Sequence, residues 1–106
     1  MQADIDWRDG YAVLVNTPRE TALATAVATR LFGKDRVESD GPPITASEDF
    51  AFMLNEVPGC YFFVGNGTAG TPGGCNVHNP GYDFNDDIIA PGAAFWCALV
   101  ETLLPA

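Results

Sequence analysis

Residues 77–87, Val-His-Asn-Pro-Gly-Tyr-Asp-Phe-Asn-Asp-Asp, hold the only histidine of this 106-residue chain and three carboxylates just after it. Neutral imidazole is the commonest protein ligand for catalytic transition metals, and a loop rich in Asn, Pro and Gly leaves its ring nitrogen free to reach one. One imidazole cannot hold a metal alone, and the chain contains no second. His78 therefore reads as one contribution to a metal centre rather than a whole centre. The plainer alternative is a surface-loop histidine with no role, which is common. Asp83, Asp86 and Asp87 can orient an imidazole through hydrogen bonds or form a solvated turn that caps the next helix. Both readings stand for Asp83, and the turn is preferred for the other two.

Two further groups carry weaker chemistry. Cys75-Asn76-Val77-His78 has the short spacing of a zinc pair, but structural zinc sites close with four ligands and no second cluster is present. Thr45-Ala46-Ser47-Glu48 has the pattern of a capping box, in which Glu48 is the return partner of the helix start. Asp49 beside it suits the positive end of the helix dipole. For Glu48 this structural reading is preferred over direct chemistry. The glycines of 65–74 do not make a phosphate cradle, because the P-loop lysine and the dinucleotide spacing ahead of a helix are absent.

The elements that must position these residues follow from periodicity and punctuation. Residues 2–7 and 11–15 read as extended segments separated by an Asp9-Gly10 turn signal. Thr17, Pro18 and Glu20 form a capping-box start, and Leu23, Val27 and Leu31 repeat every four residues, so a helix is predicted over 18–32, stopped by Gly33. A short strand is expected near residues 36–38 and a short helix through Asp49–Leu54. Cys60-Tyr61-Phe62-Phe63-Val64 is a continuous β-favouring run, expected to be a strand buried on both faces. A long loop, Gly65 to Gly81, leads to a final helix beginning near Pro91 and ending at Pro105. That helix is apolar nearly all round and is expected to be covered. Strands alternating with helices predict an α/β architecture with a largely parallel sheet.

Composition narrows the class. Apolar residues make up 47% and charged residues 18%, which fits a folded chain whose surface is partly covered by other protein. A net charge of −9 argues against nucleic-acid or anionic-membrane partners. No run approaches a membrane span, and the first residues lack the basic and apolar regions of a signal peptide. Three cysteines, odd in number and not framework-spaced, predict a reducing, cytoplasmic setting.

Three blocks taken in order carry a family resemblance: Ser47-Glu48-Asp49-Phe50-Ala51, then Val57 to Gly65, then His78 to Asp86 ahead of a Gly92-containing helix. Together they resemble the N-acyl-amino-acid amidohydrolases, the hippurate hydrolase and auxin-conjugate hydrolase branch of the aminoacylase–carboxypeptidase G metallopeptidases. Asp4 to Asn16 resembles the stretch where such chains leave the inserted dimerisation, or lid, domain. The resemblance implies part of a three-layer catalytic domain of the zinc-aminopeptidase-like type, with mostly parallel strands flanked by helices. Residues 1–15 would be the remnant of the lid and the re-entry strand, and 16–106 the C-terminal portion of the catalytic domain. It further implies a two-metal centre (zinc, manganese, cobalt or nickel) whose metals activate a water that attacks the amide of an N-acyl amino acid. His78 matches the last metal ligand, and Glu48 and Asp49 match a motif near the active site. The remaining ligands and the general-base glutamate would lie in sequence N-terminal to this chain. The chain alone is thus expected to bind no metal tightly, to be inactive and to self-associate. The alternative is a non-catalytic oligomerising or binding module of the same descent. Ala46 departs from the usual Gly before Ser-Glu-Asp-Phe, and Cys75 falls outside the pattern.

Overall fold

A computed structural model of the chain describes residues 2–71 and 73–105. Among the described residues three α-helices form: α1, Pro18–Phe32; α2, Phe50–Glu56; and α3, Ile89–Leu103, with single 3-10 turns at Lys34–Arg36 and Asp86–Ile88. Helix α1 has the bounds its periodicity predicts. Pro18 fixes the first turn, where a missing N–H costs nothing, and Gly33 takes the exit at φ 88 while its amide donates to the Thr29 carbonyl.

The capping boxes do not form as expected. At α1 the Thr17 hydroxyl donates to the Glu20 carboxylate, while the Thr17 amide donates to the Gly59 carbonyl at 3.0 Å. Glu20 therefore has no amide of Thr17 to return to. At α2 the helix starts at Phe50, with Asp49 rather than Thr45 at its N-cap. Glu48 precedes the helix and accepts from the Phe50 amide at 3.3 Å, capping from in front instead of from the third helical position. The strand expected near 36–38 does not form: the 3-10 turn Lys34–Arg36 ends there, and 37–38 take no regular structure. Helix α3 begins two residues earlier than expected, because Pro91 within the first turn removes an N–H that would have no helical partner.

The core is the α1–α3 interface. Val27, Phe95 and Ala98 are buried there, with Leu23, Ala24, Ala28, Phe32 and Leu99 packed around them. Phe62 meets Phe95 edge-on at 5.1 Å and Trp96 at 6.2 Å. Arg30 donates to the Thr102 hydroxyl at 3.2 Å across the same pair of helices. Only one face of α3 is covered, and Trp96 on the other is 58% exposed.

No β-strand forms among the described residues. The parallel sheet and flanking layers expected from the alternation of elements are not seen among the described residues. Residues 60–64 lack the ladder neighbours that a doubly buried strand requires, and Phe63 is 70% exposed instead of buried. Residues 11–15 keep a strand-like alternation, with Ala12 and Leu14 half-buried and Tyr11, Val13 and Val15 exposed. The radius of gyration is 17.7 Å, against about 13 Å for a compact domain of this length. The accessible surface is 9169 Å², where a compact monomer of this mass exposes about 5,700 Å². Much of the apolar surface is therefore left without a cover.

Candidate functional site

Two polar assemblies hold the residues singled out by the sequence. The first joins the residues before α2 to the 60–64 segment. The Glu48 carboxylate accepts from the Phe50 amide and, at 3.0 Å, from the Tyr61 hydroxyl. Tyr61 is fixed in turn by Asn16, whose carboxamide donates to the Tyr61 carbonyl and accepts from the Tyr61 amide, both at 2.7 Å. Asn16 thus occupies both main-chain groups of Tyr61, as a strand neighbour would. The Tyr61 ring also packs against Phe50 at 5.6 Å and Phe63 at 5.3 Å.

These contacts set the protonation states. The Phe50 amide first, then the Asp49 side chain and the Tyr61 hydroxyl, hold the Glu48 carboxyl below the usual carboxylate range. The hydrogen bond to Glu48, aided by partial burial, pushes the Tyr61 phenol above its ordinary value. Glu48 is stabilised as the anion, so its contribution is complete above the ordinary carboxylate pKa and is lost as pH falls through the depressed folded value. Tyr61 is held protonated, so its contribution is complete below the ordinary phenol pKa and is lost as pH rises through the raised one. The link between 48 and 61 is strongest between those two ranges. Replacing Glu48 with Gln is expected to bring one tyrosine back toward the ordinary phenol value in an ultraviolet tyrosinate titration. An unchanged titration would show that the bond is not made in solution.

The second assembly is the loop carrying His78. His78 is exposed and has φ 69, the one positive φ outside glycine among the described residues. Left-handed backbone is uncommon for a side-chain-bearing residue, and such conformers gather at functional loops. Asn79 turns the chain after it, its side-chain oxygen accepting from the Gly81 amide at 2.8 Å and its carbonyl from the Tyr82 amide at 2.9 Å. Asn85 caps the following 3-10 turn by accepting from the Asp87 amide at 3.1 Å. Asp83 enters the network through its main-chain carbonyl, which accepts from Asn66 at 2.8 Å.

Glu48 and Asp49 therefore lie in the first assembly, and His78 and Asp83 in the second. Among the described residues no group of three or more His, Cys, Asp or Glu side chains is disposed to hold a metal. The residues present fit the role of one exposed imidazole donor to a shared centre and no more. Sequence reasoning missed Asn16, Tyr61 and Asn66. A lone asparagine closing the apolar run 11–15 was the available signal for the first. Tyr61 was read as part of a buried strand, and Asn66 was lost among its flanking glycines.

The description of peptidase family M20/M25/M40 matches residues 2–102. The chain is similar to the hippurate hydrolase of Campylobacter jejuni, 32% identical over 87 residues, covering 82% of this chain and 21% of that protein. It is similar to the N-acetyl-L-cysteine deacetylase of Bacillus subtilis, 30% identical over 104 residues, covering 98% of this chain and 23% of that protein. It is also similar to the N-acetyldiaminopimelate deacetylase of Streptococcus suis, 36% identical over 81 residues, covering 76% of this chain and 20% of that protein. The chain spans about a fifth of the length of the curated relatives it matches. No solved structure matches it.

Proposed function

The chain belongs to peptidase family M20/M25/M40, and from that premise we propose that it is the C-terminal part of a metal-dependent amidohydrolase acting on N-acyl amino acids. Residues 1–15 are the remnant of the lid domain with its re-entry strand, and 16–106 the C-terminal portion of an α/β catalytic domain with a mostly parallel sheet. The observation that carries the reading is the placement of the lone histidine: His78 stands exposed, with left-handed backbone, on a loop whose residues match the ordered family blocks. The chemistry supplied by a bound divalent centre of zinc, manganese, cobalt or nickel is polarisation of the amide carbonyl and activation of water.

Within that scheme this chain's residues present and orient. His78 offers one imidazole nitrogen to the centre. Glu48 holds the start of α2 and, through Tyr61, ties it to the 60–64 segment near the active site, with Asp49 beside it at the N-cap. Asp83 contributes through its carbonyl to the shape of the His78 loop. The general base and the other ligands belong to sequence outside this chain, so the chain alone binds no metal tightly and does not turn over substrate. The three cysteines are free, which fits a reducing, cytoplasmic setting. No helix among the described residues is long and apolar enough to cross a membrane.

The test is a chimera in which the 87 residues of this chain that match the Campylobacter jejuni hippurate hydrolase replace their counterpart in that protein. The chimera is expected to hydrolyse N-benzoylglycine in the presence of divalent metal, and the isolated chain is expected not to. Turnover by the isolated chain, or a folded but inactive chimera, would reject the proposal.

The uncovered apolar surface favours a second reading, a non-catalytic module that associates with copies of itself. Trp96 and Leu103 on α3, Leu104 just after it, and Phe63 are exposed, and apolar area on this scale recruits partners. Sedimentation is expected to show association that grows with concentration. A monodisperse monomer at all concentrations would remove this reading and leave the first intact.

A further inference from the structure

Asn66 stands at the head of the long glycine loop, and its one carboxamide makes three bonds to backbone 7, 17 and 19 residues away. Its amide nitrogen donates to the Gly73 carbonyl at 3.2 Å and to the Asp83 carbonyl at 2.8 Å. Its oxygen accepts from the Asn85 amide at 2.9 Å. Both side-chain hydrogens are used, and all three partners are main-chain atoms.

The partners lie at the two ends of one stretch, Gly73 before His78, and Asp83 and Asn85 after it. The tip between them is turned by Asn79, whose amide also donates to the Asn76 carbonyl at 3.2 Å. Gly73 is fitted to this approach. Its φ is +77, and a Cβ there would stand 2.4 Å from the Asn66 nitrogen and main-chain oxygen. Only glycine allows the amide so close.

We propose that Asn66 is a positioning residue, a clamp that joins both ends of the His78 loop and sets how the imidazole is presented. The physical reason is entropic. An exposed loop of this length pays for every ordered residue, and tying its ends to one half-buried side chain confines the segment between them. Its importance for chemistry rests on the reading of His78 as a metal ligand, but the clamp itself does not.

The test is NMR of the metal-free chain with Asn66→Asp. This change keeps the shape and the acceptor, removes both donors, and sets a carboxylate oxygen against the Gly73 and Asp83 carbonyls. The readout is the strong intraresidue amide-to-Hα Overhauser effect that left-handed backbone gives at His78. In the variant that signal is expected to vanish, and the hydrogen-bonded amides of Gly74, Asn79, Gly81 and Tyr82 to exchange roughly tenfold to a hundredfold faster, the effect of losing two hydrogen bonds. Protection in α1 and α3 is expected to stay as it was. Asp83→Ala, which leaves the Asp83 carbonyl in place, is expected to keep the signal.

Retention of the His78 signal in Asn66→Asp overturns the proposal, as does its equal loss in Asp83→Ala. Should Asn66→Asp unfold the chain, Asn66→Ala decides, because it removes all three bonds without setting a carboxylate against the carbonyls. Loss of the signal with α1 and α3 intact then supports the clamp, and retention rejects it. None of these readouts uses metal or activity. A clamp upheld beside a fully active His78→Ala chimera would reject the ligand reading and leave the clamp standing.

Discussion

Replacing His78 with Ala in the chimera is expected to remove hydrolysis of N-benzoylglycine almost entirely while leaving the protein folded. Loss of a residue that only orients a metal ligand costs about 10–100-fold in metal affinity or activity. Loss of a ligand itself should exceed that range, because the centre is left short of a donor and its charge is poorly held. The side chain is exposed in the isolated chain, so the substitution opens no cavity and removes no core contact. Its effect on melting temperature should be small, and a large loss of activity can then be assigned to chemistry. Metal content measured after dialysis should fall with activity. A His78→Ala chimera with normal turnover would remove the residue from the centre. A drop of only about 10–100-fold would recast it as an orienting group.

The helices were legible in the sequence, and the sheet was not realised, for one physical reason. A helix satisfies its own backbone hydrogen bonds, so the four-residue repeat of Leu23, Val27 and Leu31 behind Pro18 was enough to predict α1 to the residue. A buried strand depends on neighbours. The run 60–64 has the composition of a central strand, yet among the described residues no strand forms beside it, and Asn16 takes both main-chain groups of Tyr61 instead. The same locality explains the caps. Thr17 and Glu20 have the right spacing, but the Thr17 amide is claimed by Gly59, a residue 42 positions away that no local pattern could nominate.

The candidate site divides along the same line. His78 stood out as the single imidazole of a loop, a property of the sequence alone. Asn66 did not, because its importance lies in bonds spanning up to 19 residues, and an asparagine between glycines looks like ordinary turn composition. The Glu48 reading was half legible. Its helix-starting role follows from its place before α2, whereas the Tyr61 hydroxyl that shares its carboxylate comes from the next element.

Phe95→Ala is expected to cause the largest loss of stability, about 3–5 kcal/mol for removal of a buried aromatic side chain. Phe95 is 5% exposed, belongs to the buried cluster with Val27 and Ala98, and meets the rings of Phe62 and Trp96. An ordinary domain has about 5–15 kcal/mol of stability in all, and this chain has one small core between two helices. Those helices are 15 residues each, a length at which an isolated helix is marginal in water. Loss of the Phe95 ring should therefore do more than lower the midpoint of a thermal melt. It should remove much of the helical circular dichroism at room temperature, since α1 and α3 depend on each other to persist. Trp96 is the control, adjacent in sequence but 58% exposed. Its replacement by Ala forfeits aromatic contacts worth about 0.5–1.5 kcal/mol and should leave the helices formed. A Phe95→Ala chain that melts within 1 kcal/mol of the parent, about the effect of an ordinary substitution, would show that the α1–α3 interface is not what holds the chain together.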